Sequence, residues 1–90
     1  MPQVIVDPDE LSRFVVLLEQ YLNTLNDETN NLCSGFAELG NTWQDGQRAA
    51  FEEQFNMLMT QIAQFKSSCA EQIPYLQGRI EAARIYLGGR

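Results

Sequence analysis

Gly40-Asn41-Thr42-Trp43-Gln44-Asp45-Gly46, near the middle of the 90-residue chain, holds the only tryptophan, two of the six glycines and a Thr/Asn/Asp cluster. Residues of these kinds stop one helix and cap another. Long segments with apolar residues at helical spacing flank the stretch on both sides. A single sharp turn there predicts an all-α antiparallel helical hairpin, with helix 1 over about 8–39, the turn at 40–46 and helix 2 over about 47–87. The turn motif is carried by Trp43, Asp45 and Gly46.

Upstream of the turn, Leu11, Val15, Leu18, Leu22, Leu25, Thr29, Leu32, Phe36 and Leu39 alternate steps of four and three, a heptad stripe with one polar member. Phe14 and Tyr21 widen it on one side. Asn26 to Asn31 has mediocre helix propensity, yet the apolar phase runs through it. At the start, Asp7-Pro8-Asp9-Glu10 reads as N-cap, N1 proline and capping-box acid. Val6 and Leu11 fall at staple positions, and Val4-Ile5-Val6 reads as a short extended lead-in. Gly35 costs about 1 kcal/mol relative to Ala inside a helix. It is either a tolerated defect or space for a ring from the facing helix, with Phe51 the ring that a fold about the turn brings near.

Downstream, Gly40 is the natural stop for helix 1. Helix 2 starts near Asp45 as N-cap, or near Thr42 if the turn is tighter. Its stripe is Phe51, Phe55, Leu58, Ile62, Phe65, Cys69, Ile73, Leu76, Ile80, Ala83 and Leu87, heptad except for two successive four-residue steps around Cys69 and Ile73. Pro74 sits beside that slip. A proline there removes a hydrogen bond and clashes with the carbonyl four residues back, so helix 2 either kinks or ends, with a short third helix following. Gly88-Gly89 closes the segment.

Composition narrows the function classes. Net charge is −6, which argues against nucleic acid or an anionic membrane as main partner. Acids crowd the first half, while Arg79, Arg84 and Arg90 gather at the far end, which a hairpin brings back to the start. There is no histidine, and Cys33 and Cys69 are the only cysteines, so no metal, cofactor or nucleophile-base site is expected. Asp9-Glu10, Asp27-Glu28 and Glu52-Glu53 read as solvated helix faces rather than catalytic acids. The hairpin sets Cys33 and Cys69 on the order of 20 Å apart along its axis, too far for a disulfide. No apolar run approaches a bilayer span, and Met1-Pro2-Gln3-Val4 has no basic or apolar leader region. The chain is therefore expected in the cytoplasm as synthesised, with only a signal-peptide-independent route out.

Two such helices cover one face of each other and leave more apolar surface wet. Met57 and Met59 read as core filler, but with Val16 and Leu17 they lie outside what one antiparallel neighbour covers. Ile80, Ala83 and Leu87 run past the point opposite Pro8. Dimerisation into a four-helix bundle is the expected remedy, as a homodimer or as a heterodimer with a related hairpin or effector. The interface candidates are Phe14, Leu18, Leu25, Phe51, Phe55, Leu58, Ile62 and Phe65.

The turn Leu39-Gly40-Asn41-Thr42-Trp43-Gln44-Asp45-Gly46, followed by Phe51 and Phe55, resembles the small WXG-type helical hairpins linked to type VII secretion, as does the opening Val6-Asp7-Pro8-Asp9-Glu10-Leu11. The family's Trp-x-Gly is here Trp-x-Asp, with Gly46 one step later. Its export signal, a tyrosine followed four residues on by an acid, is not matched: Tyr75 is followed by Arg79 and Tyr86 by Arg90. The resemblance implies a non-enzymatic substrate, co-substrate or adaptor of a secretion or toxin-delivery system. The other readings are a cytoplasmic chaperone-like partner of a larger effector and an unrelated four-helix scaffold. Trp43 is either a packing anchor for its own hairpin or, as the resemblance implies, part of a recognition surface as well.

Overall fold

Pro8 to Leu39 forms one helix, α1, and Gly46 to Gly88 a second, α2, in a computed structural model that describes residues 6–88. Asp7 starts α1: it is extended (φ −80°, ψ 107°), and its Oδ1 accepts from the amides of Asp9 and Glu10 at 3.0 and 3.3 Å. That satisfies two of the amides a helix start leaves without partners, and Pro8 needs no donor there. Residues Val4, Ile5, Gly89 and Arg90, to which the sequence assigns an extended lead-in, a helix stop and a charge, lie outside the described residues. Val6 and Leu11 are both half-buried.

The end of α1 departs from the expected glycine stop. Gly40 keeps a right-handed helical conformation (φ −59°, ψ −20°), and the chain leaves through tightened bonds from Gly40 N to Ala37 O, Asn41 N to Glu38 O and Thr42 N to Leu39 O. The backbone therefore does not require glycine here. Space is the tighter constraint, because a Cβ on Gly40 would lie 3.1 Å from the Ala37 carbonyl and 3.4 Å from Arg48 Nη1, close enough that a neighbour would have to give by a few tenths of an ångström.

The two helices lie antiparallel in a slab with principal extents of 66 × 23 × 14 Å. α2 continues unbroken through Pro74 to Gly88, so no third helix forms. Near the open end Arg84 Nη2 donates to Asp9 Oδ1 at 3.1 Å, which sets the end of α2 level with the start of α1. Ile80, expected to need outside cover, is buried within the hairpin; Ala83 is half-buried, and Leu87 stays exposed.

The core is thin. Among the described residues Val15, Phe55, Cys69 and Ile80 are the buried ones, and no large side chain is fully enclosed. The heptad stripe explains why. Leu11, Val15, Leu18, Leu22, Leu25, Thr29 and Phe36 of α1 are buried or half-buried against Phe55, Ile62, Cys69, Ile73, Leu76 and Ile80 of α2. The other heptad position of α2, held by Phe51, Leu58 and Phe65, stays 44–46% exposed. α2 is thus rotated so that, before the slip at Cys69–Ile73, its Phe55–Ile62–Cys69 row faces α1 and its Phe51–Leu58–Phe65 row lies at the edge of the contact.

The Gly35 packing idea is overturned. A Cβ there meets nothing within 4 Å, so neither Phe51 nor any other ring of this chain occupies the space. An added methyl would gain helix propensity, about 1 kcal/mol. Met57 is likewise exposed rather than core filler, whereas Met59 is half-buried and receives the Cys33 thiol at 3.5 Å. Both cysteines are free, Cys33 exposed and Cys69 buried.

Candidate functional site

Asp45 organises the turn. One oxygen, Oδ1, accepts from the amides of Gln47 and Arg48 at 2.9 and 3.2 Å and from the indole Nε1 of Trp43 at 2.9 Å. The first two contacts make Asp45 the N-cap of α2, and its charge suits the helix start. The third anchors the tryptophan to the same cap. On the other side of the turn Gln44 Nε2 donates to the Gly40 carbonyl at 2.9 Å, closing a free acceptor of α1.

Around this hinge the aromatic rings form a chain. Phe36 stacks on Phe55 with centroids 4.7 Å apart, Phe51 lies 5.7 Å from Phe36 and 6.1 Å from Phe55, and Trp43 lies 5.9 Å from Phe51. Trp43 is half-buried, which places it between a packing anchor and an open recognition surface. The guanidinium of Arg48 covers the outer face of this cluster, 4.3 Å from the Phe36 ring centre, and runs alongside Gly40. Its Nε lies 3.9 Å from Glu52, while Nη1 is shut off from solvent with no hydrogen-bond partner. The ring face and the negative end of the α1 dipole offset the cost of that orphan donor. Phe36 belongs to the α1 stripe read from sequence, but its place in the turn cluster and the whole of Arg48 were not singled out. An arginine three residues after a cap carries no signal of where its stem will lie.

The eight interface candidates divide sharply. Phe55 is buried inside the hairpin, and Leu18, Leu25 and Ile62 are half-buried between the helices. Phe14, Phe51, Leu58 and Phe65 remain exposed. Tyr21, Leu17, Leu32 and Leu39 join them on α1, at 53, 61, 49 and 43% exposure. Steps of three, four, eleven and seven residues keep Phe14, Leu17, Tyr21, Leu32 and Leu39 on one flank of α1. The Tyr21 and Phe65 rings meet edge to face, 6.3 Å apart, so this flank and the Phe65 flank of α2 open to the same side of the slab.

The opposite side carries polar ties between the helices, although Val16 and Ile85 are also exposed away from the Tyr21–Phe65 flank. Asn26 lies about 140° round α1 from Tyr21, and Lys66 about 100° round α2 from Phe65. There Lys66 Nζ donates to Asn26 Oδ1 at 3.0 Å, and Arg84 meets Asp9. An open hollow of about 370 Å³ over Ser12, Arg13, Val16, Leu17 and Gln20 is formed by α1 alone and encloses nothing. Among the described residues no group of three or more His, Cys, Asp or Glu is gathered to hold a metal, and no helix is long and apolar enough to cross a membrane. The candidate site is thus a surface: one apolar side of a two-helix slab, closed at one end by the Trp43–Asp45 turn. The chain matches no family model, no curated protein and no solved structure.

Proposed function

We propose that this chain is a non-enzymatic association module, a helical hairpin that pairs through its apolar side into a four-helix bundle and serves a WXG-like, type VII-like secretion or toxin-delivery system as substrate, co-substrate or adaptor. The observation that carries the pairing is the apolar side around Tyr21 and Phe65. The chain exposes 6718 Å², against about 5300 Å² for a compact monomer of its mass. The excess is of the order that a partner in a standard interface buries, about 800 Å² each. At roughly 25 cal/mol per Å² of apolar area, covering such a surface outweighs what four buried residues contribute. The secretion role rests on the turn tryptophan Trp43, the Phe51 and Phe55 positions and the helical hairpin, which the chain has in common with the family it resembles, while Asp45 stands where that family has glycine.

Light scattering with circular dichroism on the purified chain tests the pairing. A cooperatively melting dimer is expected, with a loosely packed chain completed by a related hairpin as the heterodimeric version. A compact, cooperatively melting monomer at micromolar concentration refutes both. Fractionating a producing culture tests the secretion role. Protein in the supernatant without lysis supports a substrate or co-substrate, and protein held only inside the cells shifts the reading to an adaptor or chaperone-like partner.

A further inference from the structure

The exposed flank of α1 is complementary to itself. Read along the helix, it presents Glu10, Phe14, Leu17, Tyr21, Glu28, Leu32, Gly35 and Leu39, all exposed. From sequence and spacing together with this exposure, we infer that a second copy of the chain docks with its α1 antiparallel to the first, about a two-fold axis that passes between the two α1 helices level with the midpoint of Thr24 and Leu25, with Phe14 of each copy entering the notch at Gly35 of the other. The inference rests on the proposed pairing of hairpins and specifies which surface pairs and in what register.

The register follows from positions on the row. Phe14 and Gly35 lie equally far from the midpoint, about 16 Å on either side at ~1.5 Å per residue. So do Leu17 and Leu32, Tyr21 and Glu28, and Glu10 and Leu39. Antiparallel pairing therefore sets the largest ring of the row against its only residue without a side chain. It also sets leucine against leucine, and a tyrosine hydroxyl against a carboxylate that can accept from it. Parallel pairing would instead set Phe14 on Phe14, Glu28 on Glu28 and Gly35 on Gly35, leaving two rings in collision and a void elsewhere.

Both halves of the large-to-small pair lack a role inside the hairpin. Phe14 is 52% exposed, outside the ring cluster at the turn and the Tyr21–Phe65 pair. Gly35 keeps an open site in mid-helix, flanked by exposed Leu32 and Leu39, and weakens α1 with no contact in its own chain to offset that. A ring seated between those two leucines supplies the missing contact. Alongside, the Phe65 flank of α2 presents Gln54, Gln61 and Gln72, with Arg79 seven residues further on, so this row adds no acid to meet the partner's Glu28.

Sedimentation equilibrium on four chains tests this: the natural one, Phe14→Ala, Gly35→Phe and the double variant. Both positions are open in the single hairpin, so its fold tolerates each change, and helicity at low concentration verifies that. Each single variant is expected to weaken the dimer on the order of tenfold, one by losing the ring and the other by opposing two rings. The double variant exchanges ring and notch across the two-fold and should return to within about threefold of the natural chain. A second readout is independent of packing: Thr24→Cys in a Cys33→Ser background should form an intermolecular disulfide with oxidised glutathione. If the natural chain is monomeric, the pairing itself falls. If it dimerises but the single variants bind normally, or the double variant is not restored, or the Thr24→Cys link fails to form, this register is overturned while pairing stands.

Discussion

Replacing Asp45 tests whether one carboxylate oxygen holds both the start of α2 and the turn tryptophan. Asp45→Ala removes the acceptor of the Gln47 and Arg48 amides, a cap loss of about 1 kcal/mol. It also frees the Trp43 indole, whose bond to a solvent-exposed carboxylate is worth about 1 kcal/mol more. Together these come to about 2 kcal/mol, or a fall in Tm on the order of 10 °C for a domain of this size. Asp45→Gly restores the Trp-x-Gly spacing and retains part of the capping preference but not the indole acceptor, so it should fall between Ala and the natural chain. Asp45→Asn keeps an oxygen in place and should lose the least, under about 1 kcal/mol. Thermal melts followed by circular dichroism at one fixed protein concentration give the ranking, since the proposed pairing would make Tm depend on concentration. Tryptophan emission reports the indole separately. A Tm unchanged by Asp45→Ala would refute the shared-oxygen account. An Asn variant as weak as Ala would show that charge, not the acceptor's position, is what matters.

The two thiols should separate by burial: under native conditions Cys33 reacts promptly with a thiol reagent, whereas Cys69 reacts only as urea opens the hairpin. Equal native rates would mean that α1 does not cover Cys69. Pro74→Ala should stabilise α2, by up to ~3 kcal/mol, because the helix already runs through this position and an alanine restores the missing donor. A urea midpoint that fails to rise would point to a role for the proline in shaping the strip between Cys69 and Ile80.

The helices were legible because their punctuation is local. Asp7-Pro8 and Asp45-Gly46 act on amides within three residues, and an uninterrupted heptad phase carries α1 through its weak Asn26–Asn31 turn. What spacing does not encode is which heptad row faces the neighbour. Phe51 and Phe55 look equivalent in sequence, yet one is 46% exposed and the other 8%, because the choice depends on how α2 rotates against α1. The same gap misled the reading of Gly35. Counting residues from the turn brings it level with Phe51 but says nothing about direction, and its face points away from α2. Arg48 was invisible for a related reason. Its long stem folds back over Phe36 and Gly40, a path set by the shape of the finished turn.

The two sides of the slab also bear on how far association goes. Tyr21 and Phe65 open to one side, while Lys66–Asn26 and Arg84–Asp9 tie the helices on the other, using polar groups that remain exposed. Exposed pairs of this kind contribute under about 1 kcal/mol each, so they do little for stability. Their effect is on solubility of that side, since a surface of asparagine, lysine and carboxylate has nothing to gain from burial. If both sides were apolar, each bound copy would offer a fresh face, and pairing would continue into open stacks. In the proposed pairing the Tyr21–Phe65 side is related to itself by a two-fold axis, so the contact would be isologous and would close once two copies have met. The thin core and the apolar Tyr21–Phe65 side both favour the proposed pairing, in which the closed unit has four helices.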